Sequence, residues 1–166
     1  MELDQLFTRP ARLQPFVTAL ADKIVRHGVD TVYGPLTGGA FLAQAIAQRL
    51  GVDFGFFERI PTERPGLFSI DYRLAPALRG AAKGKRVAVV DDAISAGSAV
   101  QASLADLEST GAVPLVLGAL IVIGPRAAAL AAERHLALEW LIDVPNPIYV
   151  PSDCPMCALG APLTSP

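Results

Sequence analysis

The sequence predicts an α/β fold: a single-domain parallel sheet of about five strands with helices on both faces. Three observations lead there. Apolar runs of strand length alternate along the chain with segments whose apolar residues recur at helical spacing. The run RVAVVDD (86–92) is apolar without a break up to its two acids, as suits a strand buried on both faces of a parallel sheet. Three of the helical segments stop at a glycine, Gly28, Gly51 and Gly111. A chain of 166 residues accommodates one full core and is short for two ordinary domains. The α/β domain is therefore placed at 1–150 and a C-terminal tail at 151–166.

In chain order, PFVTALADKIVRH (15–27) has the helical period and ends at Gly28. DTVYG (30–34) reads as a short strand, GAFLAQAIAQRLG (39–51) as a second helix and VDFGFFE (52–58) as another strand. Over 59–85 the pattern breaks at Pro61, Pro65, Gly66, Pro76, Gly80 and Gly84, which predicts loop or edge structure with some helix around 74–78. RVAVVDD then gives a central strand and GSAVQASLADLESTG (97–111) a helix. VPLVLGALIVIG (113–124) follows as a strand, PRAAALAAERH (125–135) as a helix with proline in its first turn, and LALEWLID (136–143) as the last strand. Internal repeats and low-complexity segments are absent from the sequence.

Composition narrows the function classes. With 52% apolar and 18% charged residues the chain is a folded globular protein, and a net charge of −2 gives no basic footprint for nucleic acid. The opening MELDQLFTRPARLQPF carries neither a signal-peptide core nor a transit pattern, and VPLVLGALIVIG is too short to span a bilayer. The expectation is a cytoplasmic protein with no membrane partner. Cys154 and Cys157 form CPMC near the end, half the ligand set of a zinc site, while His27 and His135 stand apart from them in sequence. A reducing compartment would leave the two thiols free of a structural disulfide.

Two predicted loops carry the chemistry, both at carboxyl ends of strands, where such sheets bind ligands. The first is Gly34, Pro35, Leu36, Thr37, Gly38 and Gly39: glycines that let backbone approach a ligand, ahead of a helix N-terminus that favours an anion. It matches neither GxGxxG nor the P-loop pattern. The second is Asp91 and Asp92 followed by Ala93, Ile94, Ser95, Ala96, Gly97, Ser98 and Ala99. Acids beside an anion cradle are reconciled by a sugar phosphate. Loop N–H groups and serine hydroxyls hold the phosphate, while the carboxylates accept from sugar hydroxyls or meet Mg²⁺ through water. A bare strand end with a solvated acid pair is the plainer alternative.

VAVVDDAISAGSA resembles the phosphoribosyl pyrophosphate (PRPP) motif of type I phosphoribosyltransferases, and GPLTGGAFLA resembles the pyrophosphate loop of the orotate phosphoribosyltransferase branch. Order and spacing agree from about Thr31 to Ile142, and the tail CPMCALGAPL is similar to tails of bacterial members. The resemblance implies that Asp91 and Asp92 hold the ribose hydroxyls, that residues 93–99 cradle the 5′-phosphate, and that residues 34–39 face pyrophosphate bridged by Mg²⁺. It also implies displacement of pyrophosphate by a base nitrogen, and a homodimer that would cover the aromatics of FGFFERI.

The chain departs from that pattern. Where orotate enzymes carry R-K-x-x-K-x-H-G, it has RIPTERPG (59–66): Arg59 and Gly66 match, the lysines and histidine do not, and Arg64 is the remaining cation for the departing pyrophosphate. No SGxxSxxY segment precedes Val32. The Asp-Arg that grips the orotate carboxylate becomes Gly124-Pro125, with Arg126 one place late as the acceptor-binding candidate, and Ala96 and Ala99 lack hydroxyls found in the family. Two readings follow: a Mg²⁺-dependent transferase of orotate-like type whose base is open and for which orotate is a poor fit, or a non-catalytic module that binds PRPP or a nucleotide. A receiver domain also places an acid pair after a strand, but it needs a late lysine and none follows Lys85.

Overall fold

Alternation within RVAVV decides how the sheet is covered. Val87 and Val89 belong to one apolar cluster, Ala88 and Val90 to another, so the strand is buried on both faces. The computed structural model describes residues 3–61, 70–145 and 152–161. Its strands are β1 (Thr31–Pro35), β2 (Asp53–Pro61), β3 (Ile70–Leu74), β4 (Arg86–Ile94), β5 (Val113–Ile123) and β6 (Ala137–Val144). Its helices are α1 (Asp4–Phe7), α2 (Pro10–Ile24), α3 (Gly38–Leu50), α4 (Arg79–Ala82), α5 (Ser98–Glu108), α6 (Arg126–Glu133) and α7 (Pro155–Ala158).

The sheet order is β3-β2-β1-β4-β5-β6, parallel throughout except for the β2–β3 pair. Helices α2 and α3 cover one face through Leu13, Val17, Leu20, Ile24, Leu42 and Ile46. Helices α5 and α6 cover the other through Val100, Leu104, Leu107, Ala127 and Leu130. The chain leaves β1 toward β2 and later returns on the opposite side at β4. The switch point therefore falls between β1 and β4, where a crevice opens at the strands' carboxyl ends.

The five parallel strands and their helices match the sequence expectation, and a sixth strand joins them. β2 runs on to Pro61, and β3 pairs back against it at the sheet edge, Arg59 opposite Tyr72. Both prolines of this hairpin's described part sit where an edge strand tolerates them: Pro61 closes β2, and Pro76 opens a 3₁₀ turn after β3. The helix expected at 74–78 falls instead at 76–82, as that turn (Pro76–Leu78) followed by α4. In FGFFERI, Phe57 is core; Phe54 and Phe56 point the other way and stack 6.2 Å apart, with Phe54 exposed.

Candidate functional site

The acid pair sits where the strand period breaks. Val89 and Ile94 face α5, whereas Val90 and Ala93 face α3, so the strict alternation of β4 is lost between 90 and 93, at the two acids. Asp91 opens onto a cavity of about 390 Å³ that it lines with residues 93–100. Asp92 turns toward the start of α3. A Cβ on Gly38 would lie 2.6 Å from its carboxyl carbon, and one on Gly39 would lie 2.7 Å from Asp91 Oδ1. The two predicted loops are thus one interlocked structure, and any side chain at 38 or 39 would displace an acid.

Asp91 is buried and Asp92 half-buried. Burial, then the charge of Asp92 beside it, pushes the Asp91 carboxyl well above its ordinary 3.8. Each acid accepts a backbone N–H from the next residue: Asp91 Oδ1 from Asp92 and Asp92 Oδ1 from Ala93, both at 3.0 Å. Neither carboxyl has a cationic partner among the described residues.

The stretch 93–99, expected as one loop, divides in three. Ala93 and Ile94 still pair with β5 and line the cavity from the strand's end, and Ile94 also reaches the core. Ser95, Ala96 and Gly97 form the turn, and Gly97 takes φ +75°, which glycine adopts without strain. Ser98 and Ala99 begin α5, whose first N–H groups have no partner inside the helix and face an anion favourably. The other loop divides likewise. Gly34 and Pro35 end β1, Leu36 and Thr37 make the turn with a cis peptide between them, and Gly38 and Gly39 already belong to α3.

Arg59 lies exposed on β2, at the register position opposite Tyr72. Arg64 falls outside the described residues. Arg126 stands away from the α3 side of the crevice: its Cγ is 3.7 Å from where a Cβ on Gly97 would be, and Nη1 is 3.5 Å from Glu133 Oε1. α6 starts beside the α5 turn, and its first residue, Arg126, therefore stands next to Gly97.

Two contributors escaped sequence reading. Tyr72 is half-buried on the edge strand; burial raises its phenol, the charge of Arg59 counteracts this, and the charges of Asp91 and Asp92 raise it further. Its signal was the alternation Ile70, Tyr72, Leu74, legible once 70–74 is taken as a strand. The second is a concavity of about 420 Å³ on the α3 side, lined by Phe7, Thr8, Thr37, Gly38 and Phe41. The Phe7 and Phe41 rings lie 6.0 Å apart, and none of the lining side chains is charged.

Residues 3–135 match the phosphoribosyl transferase domain, across most of the chain. The chain belongs to the phosphoribosyltransferase family. The orotate phosphoribosyltransferase of Desulforamulus reducens is 30% identical over 164 residues, which is 98% of this chain and 78% of the relative. That of Thermotoga maritima is 30% identical over 150 residues, covering 89% of this chain and 72% of its own. Among solved structures, adenine phosphoribosyltransferase from Thermoanaerobacter pseudethanolicus aligns with a TM-score of 0.68 at 20% identity over 83% of both chains. Orotate phosphoribosyltransferase from Aeropyrum pernix gives 0.67 at 24% identity, over 86% of this chain and 77% of its own. At those identities the likeness is one of fold, and both phosphoribosyltransferase types share it.

Proposed function

We propose that this phosphoribosyltransferase uses PRPP to place a 5-phosphoribosyl group on an uncharged nucleobase, releasing pyrophosphate, in nucleotide synthesis of the kind its orotate-type relatives are named for. The observation that carries the reading is the interlock at the switch point. Two carboxyl groups with no cationic partner among the described residues sit on glycines of one loop and beside the cavity of the other. On this reading Asp91 and Asp92 accept from the ribose hydroxyls, Ser95 and Ser98 with the first turn of α5 hold the 5′-phosphate, and residues 34–39 face pyrophosphate. A base nitrogen bonds to the anomeric carbon as its bond to pyrophosphate oxygen breaks. The electron pair leaves with pyrophosphate and the base N–H proton passes to solvent. The protein's part is positioning and charge stabilisation, with Arg59, and Tyr72 beside it, on the side of the departing group.

Mg²⁺ suits this donor set. Among the described residues no three His, Cys, Asp or Glu side chains cluster, so the protein offers no closed cage. Two carboxyl groups beside a polyphosphate are how Mg²⁺ is ordinarily held, with water and substrate oxygens completing the shell. Asp92, the more accessible acid, would hold it through water, and the ion would supply positive charge to pyrophosphate.

The acceptor class follows from the Phe7–Phe41 concavity, which adjoins Gly38 and hence Asp92. A flat base can lie on the exposed ring of Phe41, whereas among the described lining residues the orotate carboxylate would meet no cation, and burying it unpaired is costly. A pyrophosphate-release screen with PRPP, Mg²⁺ and a panel of bases tests the reading. The expected result is turnover with an uncharged base and a kcat/KM for orotate below about 10⁴ M⁻¹s⁻¹. Faster turnover of orotate overturns the acceptor assignment. PRPP binding without turnover of any base overturns the enzyme and leaves a binding module.

A further inference from the structure

The CPMC motif plays no part in the crevice, and its local structure is unusually complete for a segment with no core. Cys154 caps α7, with the Cys157 N–H donating to its sulfur at 3.5 Å. Four further backbone bonds close the turn: Ala158 to Cys154, Leu159 to Pro155, Gly160 to Cys157 and Ala161 to Met156, all within 3.2 Å. Asp153 is engaged by Ser152. Among the described residues every hydrogen bond of 152–161 stays inside the segment, and Met156 and Leu159 are 62% and 83% exposed. Ten residues holding one conformation with their apolar side chains in water need a disulfide, a metal or a partner to make that conformation pay.

The sulfurs themselves choose among these. Cys154 is half-buried and Cys157 exposed, so both are accessible to a ligand rather than packed as core thiols. The Cys157 N–H points at the Cys154 sulfur from 3.5 Å. Amide donors aimed at a sulfur are the outer support that thiolate ligands use to keep their orientation. Two cysteines three apart, on a turn that presents both sulfurs, supply two corners of a tetrahedral thiolate site. Among the described residues no third His, Cys, Asp or Glu stands with them, His27 being taken by Glu139 at 3.0 Å. A second identical turn related by a twofold axis supplies the missing corners, since the same pair is presented by each copy.

We propose that Cys154 and Cys157 of two copies of this chain together bind one Zn²⁺ in a structural four-thiolate site that joins their C-terminal segments. Each thiol releases its proton to solvent as its sulfur binds, with zinc–sulfur distances of about 2.3 Å. The site is closed, so it fixes the tails and leaves the crevice chemistry to the domain.

Full-length protein kept reduced, exposed to zinc and freed of excess should retain one zinc per two chains by elemental analysis, and its cobalt form should show the visible bands of tetrahedral thiolate cobalt. Cys154→Ser and Cys157→Ser should each abolish both signals, while PRPP affinity and the melting temperature of the domain stay at wild-type values. Zinc at background in reduced protein, one zinc per chain in a monomer, or an intrachain disulfide that persists under reductant would each overturn the proposal. Because PRPP binding is measured separately, a failed zinc site and a failed transferase reading remain distinguishable.

Discussion

The two ends of the β1–β4 pair make opposite use of aspartate. At the amino end, Asp30 is gripped by Arg86: Nη2 donates to Oδ1 at 2.8 Å, while Nε and the backbone N–H donate to Oδ2 at 3.1 and 3.0 Å. Lys85 meets Asp53 at 3.2 Å next door. Those bonds from Arg86 hold the Asp30 carboxyl far below the ordinary range. At the carboxyl end, Asp91 and Asp92 have each other and the neighbouring N–H groups, and Asp91 is driven the opposite way. An acid with a cation has its charge satisfied and little left to offer. An acid beside another acid, at a strand end lined by glycine, keeps its acceptors for a ligand that brings hydroxyls or a divalent ion. The contrast separates an end whose acids are paired with cations from an end where, among the described residues, they are not.

The largest break in that contrast should come from Asp92→Asn. Losing charge-assisted bonds to ribose or to the hydrated ion, at about 1.5–3 kcal/mol each, lowers Mg²⁺-dependent PRPP affinity roughly ten- to a hundredfold. Calorimetry giving equal affinities for both proteins would remove the ribose role from that residue. Next comes Gly38→Ala, whose methyl must displace the Asp92 carboxyl from 2.6 Å. PRPP affinity should fall by about five- to thirtyfold, the effect of 1–2 kcal/mol. Gly80→Ala is the control, since a Cβ there meets nothing within 4 Å and binding should be unmoved.

Asp91→Asn sharpens the comparison through pH. The folded protein holds the Asp91 proton more tightly than the unfolded chain does. Stability from this group is therefore full below 3.8 and declines as pH climbs through its raised value. The ligand-free variant should melt above wild type at neutral pH, with the difference closing toward pH 3.8 and below. A pH-independent difference in melting temperature would show that the asparagine acts through packing alone. The smallest effect belongs to Asp30→Asn, with the opposite sign. The Arg86 contact favours the ionised acid, so its contribution is present above 3.8 and lost as pH falls through the lowered value. At this exposed site the loss at neutral pH should be slight, and PRPP affinity should match wild type. A drop in affinity would mean that the two ends are coupled through β1 and β4.

Legibility in the sequence followed the range of the physics. The β4 strand and its acid pair were readable because an apolar run buried on both faces needs no partner to declare itself, and the glycines of 38–39 and 97 mark their turns locally. β3 was harder: 70–74 is a short edge strand, and its pairing with β2 is a tertiary bond between residues that show no signal alone. Tyr72 was missed for the same reason, since its value lies in standing opposite Arg59. The surroundings of Arg126 were not legible either, because position along the chain says which strand precedes a residue and nothing about which face of the sheet its helix covers.

By itself, then, the sequence determined the α/β class, the alternation that builds both faces, the acid pair with its following turn, and the loss of the loop lysines. These are properties of period, composition and adjacency, which act over a few residues. Only the tertiary structure decided that the two loops meet, with Gly38 and Gly39 seated on Asp92 and Asp91, and that the aromatic concavity of Phe7 and Phe41 adjoins them. It also decided that one aspartate of the strand pair is paired with arginine while another is left with its own kind. Those facts depend on the strand order β2-β1-β4, which brings segments more than fifty residues apart into contact, and burial then raises the Asp91 carboxyl while Arg86 lowers that of Asp30.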